Sequence, residues 1–447
     1  MQLVNITMIS KRNLLGLVFF ALPFVSLAQE NSPYSRYGVG NPTPQGNIVS
    51  RGMGGISAAY SDFATVNFLN PASYGDLRRF TLDIALEIDS RTLISQNPVD
   101  KFTSHYATVP YLQVGIPLYN PQLHPTKRAA KKGFSWAANF GLRPITKINY
   151  KIESDSRIPN IDSVATTYEG SGGVNEAFIG TGIKLRHFSI GFNVGYLFGN
   201  KDYSTRLEFI NDSVNYIKSN SETITSFGGV SFNAGIQYVD SFKNHNVLKL
   251  GAYGNLSQNY KASEDLKRES FVYNSIGGTT ALDSIYKVSG VAGTLKMPAS
   301  FGIGFIMEQP HIVYGIDYEA TYWNSYRFYG QPDYVQNSWN IKGGFQYAPA
   351  TRTSRKYFDF MRYRLGAYYG NDYVNIDNKM PLYGVTAGFG IPLKLNRSFY
   401  ETQYSVMNLA LEYGSRGNKN NNIRENIFRL SLGFSLSDIW FRRYKYD

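Results

Sequence analysis

Five histidines are the first residues to test for chemistry: His105, His124, His187, His245 and His311. No two of them stand at metal-ligand spacing. A hydrolase would need Ser or Asp gathered with His, and these histidines are scattered along the chain. Cysteine is absent, which excludes a disulfide framework, thiolate catalysis, iron–sulfur clusters and cysteine-based zinc sites. No G-x-S-x-G elbow, Walker loop or G-x-G-x-x-G occurs; Gly302-Ile303-Gly304 and Gly388-Phe389-Gly390 read as ordinary strand glycines. Asp372, Asn375 and Asp377 have the loose composition of a calcium loop without its Gly and Glu, and read as surface polarity. The residue types therefore point away from an enzyme, a metal centre or a cofactor.

What the chain does have is an unusual supply of Gly 42, Tyr 35 and Phe 29 in 447 residues. Aromatics make up 15% and charged residues 17%, against about 25% charged in an average soluble domain. From Phe80 onward one pattern recurs, about ten alternating residues and then a polar gap. Phe188, Ile190, Phe192, Val194, Tyr196 and Phe198 alternate with Ser189, Gly191, Asn193 and Gly195; Phe428 to Leu436 alternates in the same way. Period two gives each strand one apolar and one polar face. Fourteen such segments centre near residues 86, 112, 140, 180, 192, 230, 251, 301, 316, 344, 365, 387, 409 and 432.

The gaps alternate in length. Long polar ones fall at Glu153–Asn175, Gly199–Asn220, Gln258–Tyr286, Tyr326–Ser338 and Gly414–Arg424; compact ones at Arg186-His187, Asp240–Asn246 and Glu308–His311. A transmembrane barrel has an even strand count, short periplasmic turns and long outer loops, whereas a soluble sandwich has no reason to sort its loops. The expected fold class is all-β: an antiparallel outer-membrane barrel of about 14 strands (12 to 16). Tyr and Trp at segment ends, such as Tyr322, Trp323, Tyr326, Tyr368, Tyr369 and Tyr373, suit the two aromatic girdles of such a barrel.

The N-terminus agrees with export. Lys11 and Arg12 precede an apolar stretch from Leu14 to Val25 and the small residues Ser26 and Ala28. That pattern is a secretory signal peptide, 1–28, too short to span a bilayer. Export sets nucleic acid aside as the reason for the net charge of +12. The charge gathers in compact turns: Lys127, Arg128, Lys131 and Lys132; Arg352, Arg355 and Lys356; Arg442, Arg443 and Lys445. A solvated periplasmic face explains it, with anionic headgroups or an acidic partner as the sharper alternative.

Residues 29–79 do not alternate. Arg51-Gly52-Met53-Gly54-Gly55 allows tight turns and close backbone approach, and Asn70-Pro71-Ala72 favours a turn or helix start. About fifty residues ahead of the first strand read as a small folded insert, a plug in the lumen of the barrel formed by 80–447.

This pair of motifs, Arg51–Gly55 and Asn70–Ala72 ahead of a long barrel, resembles the FadL-type hydrophobic-compound transporter family, including its PorV-like relatives. The resemblance covers Arg51–Tyr74 in detail and the rest only in strand pattern. It implies a fourteen-stranded barrel with the N-terminal hatch in its lumen. It also implies hydrophobic ligands bound near that hatch and released sideways where the third strand is kinked. Gly141 and Pro144 stand in the third strand, where Pro144 cannot donate to a ladder, so they are the expected kink and lateral opening.

Two functions follow. The first is passive uptake of hydrophobic, fatty-acid-like molecules with lateral release into the bilayer. The alternative is a non-transporting plugged barrel, a structural subunit of an outer-membrane secretion or barrel-assembly complex. The expected partners are the lipid bilayer, a hydrophobic ligand or detergent in the lumen, and other outer-membrane or periplasmic proteins. An apolar pocket beside Gly52–Ala72 favours the first; a lumen closed by packed side chains favours the second.

Overall fold

The computed structural model describes residues 31–438, except 97, 121–132, 160, 211–215, 243–244, 275–278, 352–353, 355, 377 and 394–403. The leader 1–28, the Lys127–Lys132 turn, Arg352, Arg355 and the basic aromatic end from Trp440 lie outside the described residues.

Alternation along the chain builds one antiparallel sheet. Its strands are β1 (Phe80–Ser95), β2 (Lys101–Thr108 and Leu112–Tyr119), β3 (Phe134–Arg157), β4 (Ser163–Leu185) and β5 (Phe188–Phe209). They continue with β6 (Lys218–Ser241), β7 (Val247–Asn255 and Gln258–Tyr273), β8 (Thr279–Met297 and Ser300–Glu308), β9 (Ile312–Thr321) and β10 (Ser338–Tyr347). The last four are β11 (Arg362–Asn371), β12 (Pro381–Pro392), β13 (Tyr404–Arg416) and β14 (Ile423–Asp438). Each pairs with the next, and β14 returns to β1 from Ile423↔Ser95 to Asp438↔Phe80. The result is a closed 14-stranded barrel, as the alternation predicts.

Its polarity is the inverse of a soluble core. On β5, Phe188, Ile190 and Phe192 are exposed outward while Ser189 and Asn193 are buried. Such an outside is stable only against hydrocarbon, so the barrel belongs in an outer membrane. Among the described residues no helix is long and apolar enough to cross a membrane.

The wall is uneven in height. Strands β3 and β6 run for 24 residues, whereas β9, β10 and β11 have 10. A bilayer needs only about 9–11 tilted residues. The surplus of β3–β8 rises beyond the apolar belt at one end, called here the upper end; β1 starts at the lower end. This corrects the expected long loops. Most of Glu153–Asn175, Gly199–Asn220 and Gln258–Tyr286 is strand. Above the bilayer both faces meet water, so the alternation that marks a strand disappears from the sequence.

Several aromatics expected in girdles lie inside. Tyr322 and Tyr369 face outward, but Trp323, Tyr326 and Tyr373 are buried and pack with Tyr34 and Val39 near the upper end.

Candidate functional site in the lumen

Residues 31–79 reach strands on every side of the ring. The segment begins at the upper end, where the Asn31 side chain accepts from the Lys151 amide at 3.1 Å and the Ser32 amide donates to Asn149 O at 3.0 Å. Asn41 and Pro42 pair with Lys147 and Thr146 of β3. A one-turn helix follows, Ile48–Arg51, capped by Asn47, whose side chain accepts from the Ser50 amide. Asn70 caps a 3-10 turn, Pro71–Asp76, in the same way, with Pro71 at its first turn. Asn70 Nδ2 also donates to Ala58 O at 2.6 Å, tying the second motif to the chain three residues beyond the first.

Both motifs sit where a wall strand offers glycine. Gly54 has φ +69, and its amide donates to Thr386 Oγ1 at 2.9 Å. A Cβ on Gly366 would meet the Gly54 amide nitrogen at 2.0 Å, and one on Gly388 would meet Gly52 Cα at 2.9 Å. A Cβ on Gly191 would lie 2.3 Å from Pro71 O. Gly388 is thus no ordinary strand glycine; it belongs to the seat of the Gly52–Gly54 turn. Met53 and Ala72 are fully buried.

The lumen around the segment is charged. Arg51 is 5% exposed and donates from Nη1 to Glu87, from Nε to Gly46 O at 3.0 Å and from Nη2 to Pro44 O. Glu87 also faces Arg429, which bonds Asp89 at 2.6 Å and Glu412 at 2.9 Å. Higher up, Glu425 accepts from Arg91 at 3.0 Å, Arg416 at 3.3 Å and the Ser32 hydroxyl at 2.5 Å. Arg416 also holds Asp372 at 2.9 Å and Asn41 at 2.8 Å. Asp372 is therefore a lumen ion-pair partner, not surface polarity; Asp377 lies outside the described residues. Across the lumen, Arg143 pairs with Glu176 at 2.7 Å and lies over the Phe68 ring at 4.9 Å. Charges buried this deeply are tolerable only when paired, and these are.

Among the described residues, cavities remain beside the segment, and two of them lie deep in the lumen. One of about 300 Å³ is lined mainly by apolar and aromatic side chains, among them Leu69, Leu197, Tyr260, Met297 and Trp323, with Arg143 and Glu176 beside them; another of about 240 Å³ is lined by Arg51, Arg91, Glu412, Arg416 and Arg429. Both mix charge with carbon. Sequence reasoning missed these charged residues, although Glu87, Asp89 and Arg91 do alternate on the inner face of β1.

Gly141 and Pro144 both lie in β3. Its pairing with β4 shifts register between Pro144 and Thr146, and its pairing with β2 ends at Leu142. Beyond that point the edge of β3 is bonded by Asn31–Thr43 instead, with the Thr43 amide donating to Ile145 O at 3.0 Å. Of the histidines, His187 and His311 contact Val239 O and Ala348 O within turns, His105 is exposed on β2, and His124 lies outside the described residues. Among the described residues no group of acidic or histidine side chains could hold a metal ion.

At the lower end Asp76 pairs with Lys184 and accepts from Ser61 Oγ at 2.7 Å. Burial pushes its carboxyl up, but the Lys184 and Lys249 ammoniums outweigh that and hold it below the usual range. A depressed carboxylate stabilises the fold above its unfolded pKa of about 3.9 and loses that stabilisation as pH falls through the folded value. Protease access to residues 61–79 should be unchanged from pH 8 to about pH 5 and rise below about pH 4. Access that increases already at pH 6 would show that Asp76 does not anchor this end.

A fourteen-stranded barrel with an N-terminal segment in a packed lumen is the FadL-type outer-membrane fold. Solved structures of that fold include the CymD monoaromatic hydrocarbon channel, at 14% identity over 89% of this chain and 99% of that one, with TM-score 0.52. The Ralstonia pickettii toluene transporter TbuX is similar at 12% identity, 88% and 99% coverage and TM-score 0.54. The Pseudomonas putida toluene transporter TodX is similar at 14% identity, 90% and 99% coverage and TM-score 0.54. Likeness at these identities is a likeness of fold. The family model for BamG matches residues 8–447, and the chain belongs to the BamG family. No curated protein sequence matches it.

Proposed function

We propose that this protein is a plugged barrel that does not transport, and that it serves as a structural subunit of an outer-membrane secretion or barrel-assembly complex. The lumen carries this reading. A hydrophobic ligand would need an apolar pocket with few polar anchors; the space beside the Gly52–Gly55 turn instead holds buried ion pairs around Arg51, Arg416 and Arg429, and the more apolar cavity against Leu69 has the Arg143–Glu176 pair in its lining. Membership of the BamG family agrees with a role in an assembly.

Passive uptake of hydrophobic small molecules is the second reading. It is supported by the hydrocarbon-channel fold and by the break in β3 pairing at Leu142–Thr146. Pull-down from detergent-solubilised native membranes, combined with uptake of a hydrophobic probe, separates the two. A subunit should bring down a protein partner in fixed ratio, and neither gene deletion nor Pro144→Val should change probe uptake. Uptake that falls in both strains, with no protein recovered, would overturn the subunit reading and leave fatty-acid-like uptake with lateral release.

A further inference from the structure

The wall has a gap between β6 and β7, at the height of the apolar belt. Below it, Ala234–Ser241 of β6 pairs with Val247–Gly254 of β7; above it, Lys218–Gly228 pairs with Lys261–Phe271. Between these ladders Gly229–Asn233 pairs, among the described residues, only with Asn193–Leu197 of β5. Residues 255–260 of β7 stand opposite, and the strand is interrupted there at Leu256 and Ser257. An ordinary β-bulge leaves one extra residue unpaired, whereas here the whole of Gly229–Asn233 loses its partner on this side. The Gln258 side chain takes the place of the missing backbone. Turned to satisfy both groups, its amide donates to Val230 O at 3.2 Å and accepts from the Phe232 amide at 3.1 Å. Val230, Phe232 and Leu256 around the gap are exposed outward, Leu256 by 81%, so hydrocarbon lies against it.

Behind Gln258 lies the cavity of about 300 Å³. Its lining joins Phe232 on the lipid side to Leu197, Tyr260 and Trp323 inside, so the cavity opens to the bilayer through the gap. Its inner end is closed by Pro42, Gln45 and Leu69 of the N-terminal segment and by the Arg143–Glu176 pair. We propose that this cavity is a lipid site: one acyl chain of a bilayer lipid inserts sideways between β6 and β7, beside Gln258, and its headgroup stays at the membrane surface. Backbone groups that face hydrocarbon must be satisfied from within the protein. Gln258 does this for Val230 and Phe232 while leaving the cavity open, which a continued ladder would not. The buried ion pair at the inner end bars a hydrocarbon chain from going further, so the site holds a chain rather than conducting one. It is not the expected opening at Gly141 and Pro144, where the β3 edge beyond Leu142 is bonded by Asn31–Thr43. It goes beyond the subunit reading and does not depend on it.

Tryptophan fluorescence tests it in the full-length barrel. Trp323 lines the cavity and is buried from the bilayer; Trp136→Phe, Trp339→Phe and Trp440→Phe together leave it as the sole emitter. The protein is reconstituted in phosphatidylcholine vesicles whose acyl chains are brominated or plain, bromine being a short-range quencher. Lipid at bilayer concentration keeps an open site filled by mass action, so Trp323 emission should be about twofold lower in the brominated vesicles. Leu197→Phe with Thr321→Phe fills the cavity and should restore the emission, with the barrel still heat-modifiable. Should that variant fail to fold, lipid counting decides. The parent barrel, moved from plain vesicles into mild detergent, should keep one phosphatidylcholine by native mass spectrometry, and a barrel that keeps none would overturn the site. Equal emission in both vesicles, or quenching that survives filling, would also overturn it and leave the subunit reading intact. Quenching by free bromododecane in plain vesicles but not by brominated lipid would overturn it in favour of loose hydrophobic molecules, the second functional reading.

Discussion

Arg51→Leu should destabilise the protein by about 3–5 kcal/mol, because it leaves Glu87 buried without its nearest counter-charge and Gly46 and Pro44 without a donor. Arg429 still faces Glu87 at 3.3 Å, but it is committed to Asp89 and Glu412 as well. The cost should fall on the N-terminal segment rather than on the wall, whose ladders do not involve Arg51. The expected result is a barrel that still runs as a heat-modifiable band while residues 31–79 become open to protease. Glu87→Gln in the same background should restore part of the loss, since the orphaned charge is then gone. An Arg51→Leu protein as protease-resistant as the parent would mean that the pair holds nothing in place.

Gly54→Leu is the second large effect, and it acts through backbone rather than charge. A Cβ at this position would stand 2.5 Å from Gly343 O and 2.8 Å from Ala367 O, on a residue whose φ is +69. Neither carbonyl can withdraw without breaking the β10–β11 ladder, where Gly343 pairs with Ala367. Overpacking of this kind costs about 1–3 kcal/mol, and the left-handed backbone adds about 1 more. The turn should lift off the wall and raise permeability to small solutes, with membrane insertion retained. A smaller residue does not rescue it: Gly54→Ala already carries the offending atom. Conductance of both variants in planar bilayers gives the measurement, and parental conductance from both would show that the turn does not seal the lumen.

The sequence revealed the wall wherever lipid enforces it. Phe188 to Phe198 alternates because one face meets hydrocarbon, and all fourteen expected centres fall within strands of the barrel. Above the bilayer that force is gone, so Glu153–Arg157 and Ser204–Phe209 look like loops though they are strand. The Arg51–Gly55 and Asn70–Ala72 turns were legible because glycine, asparagine and proline carry their geometry locally. Their receptors were not. Gly366 and Gly388 look the same in sequence whether a side chain or a backbone lies against them. The ion pairs were hidden by distance along the chain, as Arg429 and Asp89 stand 340 positions apart. Trp323 and Tyr373 were misplaced for a related reason: an aromatic at a strand end can turn outward to lipid or inward to a neighbour, and only the Tyr34 segment decides which.

The course of the N-terminal segment sets an order of events during assembly. Asn31 is held at the upper end and Arg79 leads into β1 at the lower end, so the segment runs the length of the lumen. A finished cylinder packed with side chains offers no route for threading it afterwards. The strands must therefore be laid around it, and the first residues must be in position before the last arrive. Ser32 bonds Glu425, 393 positions later, so the grip on the upper end completes only when β14 closes onto β1. Contacts that join the two ends of a chain are the slowest to form. A chain halted before Ile423 would have most of its wall but no counter-charge for Arg91 from Glu425, and its seam would stand open around a segment still waiting to be clamped.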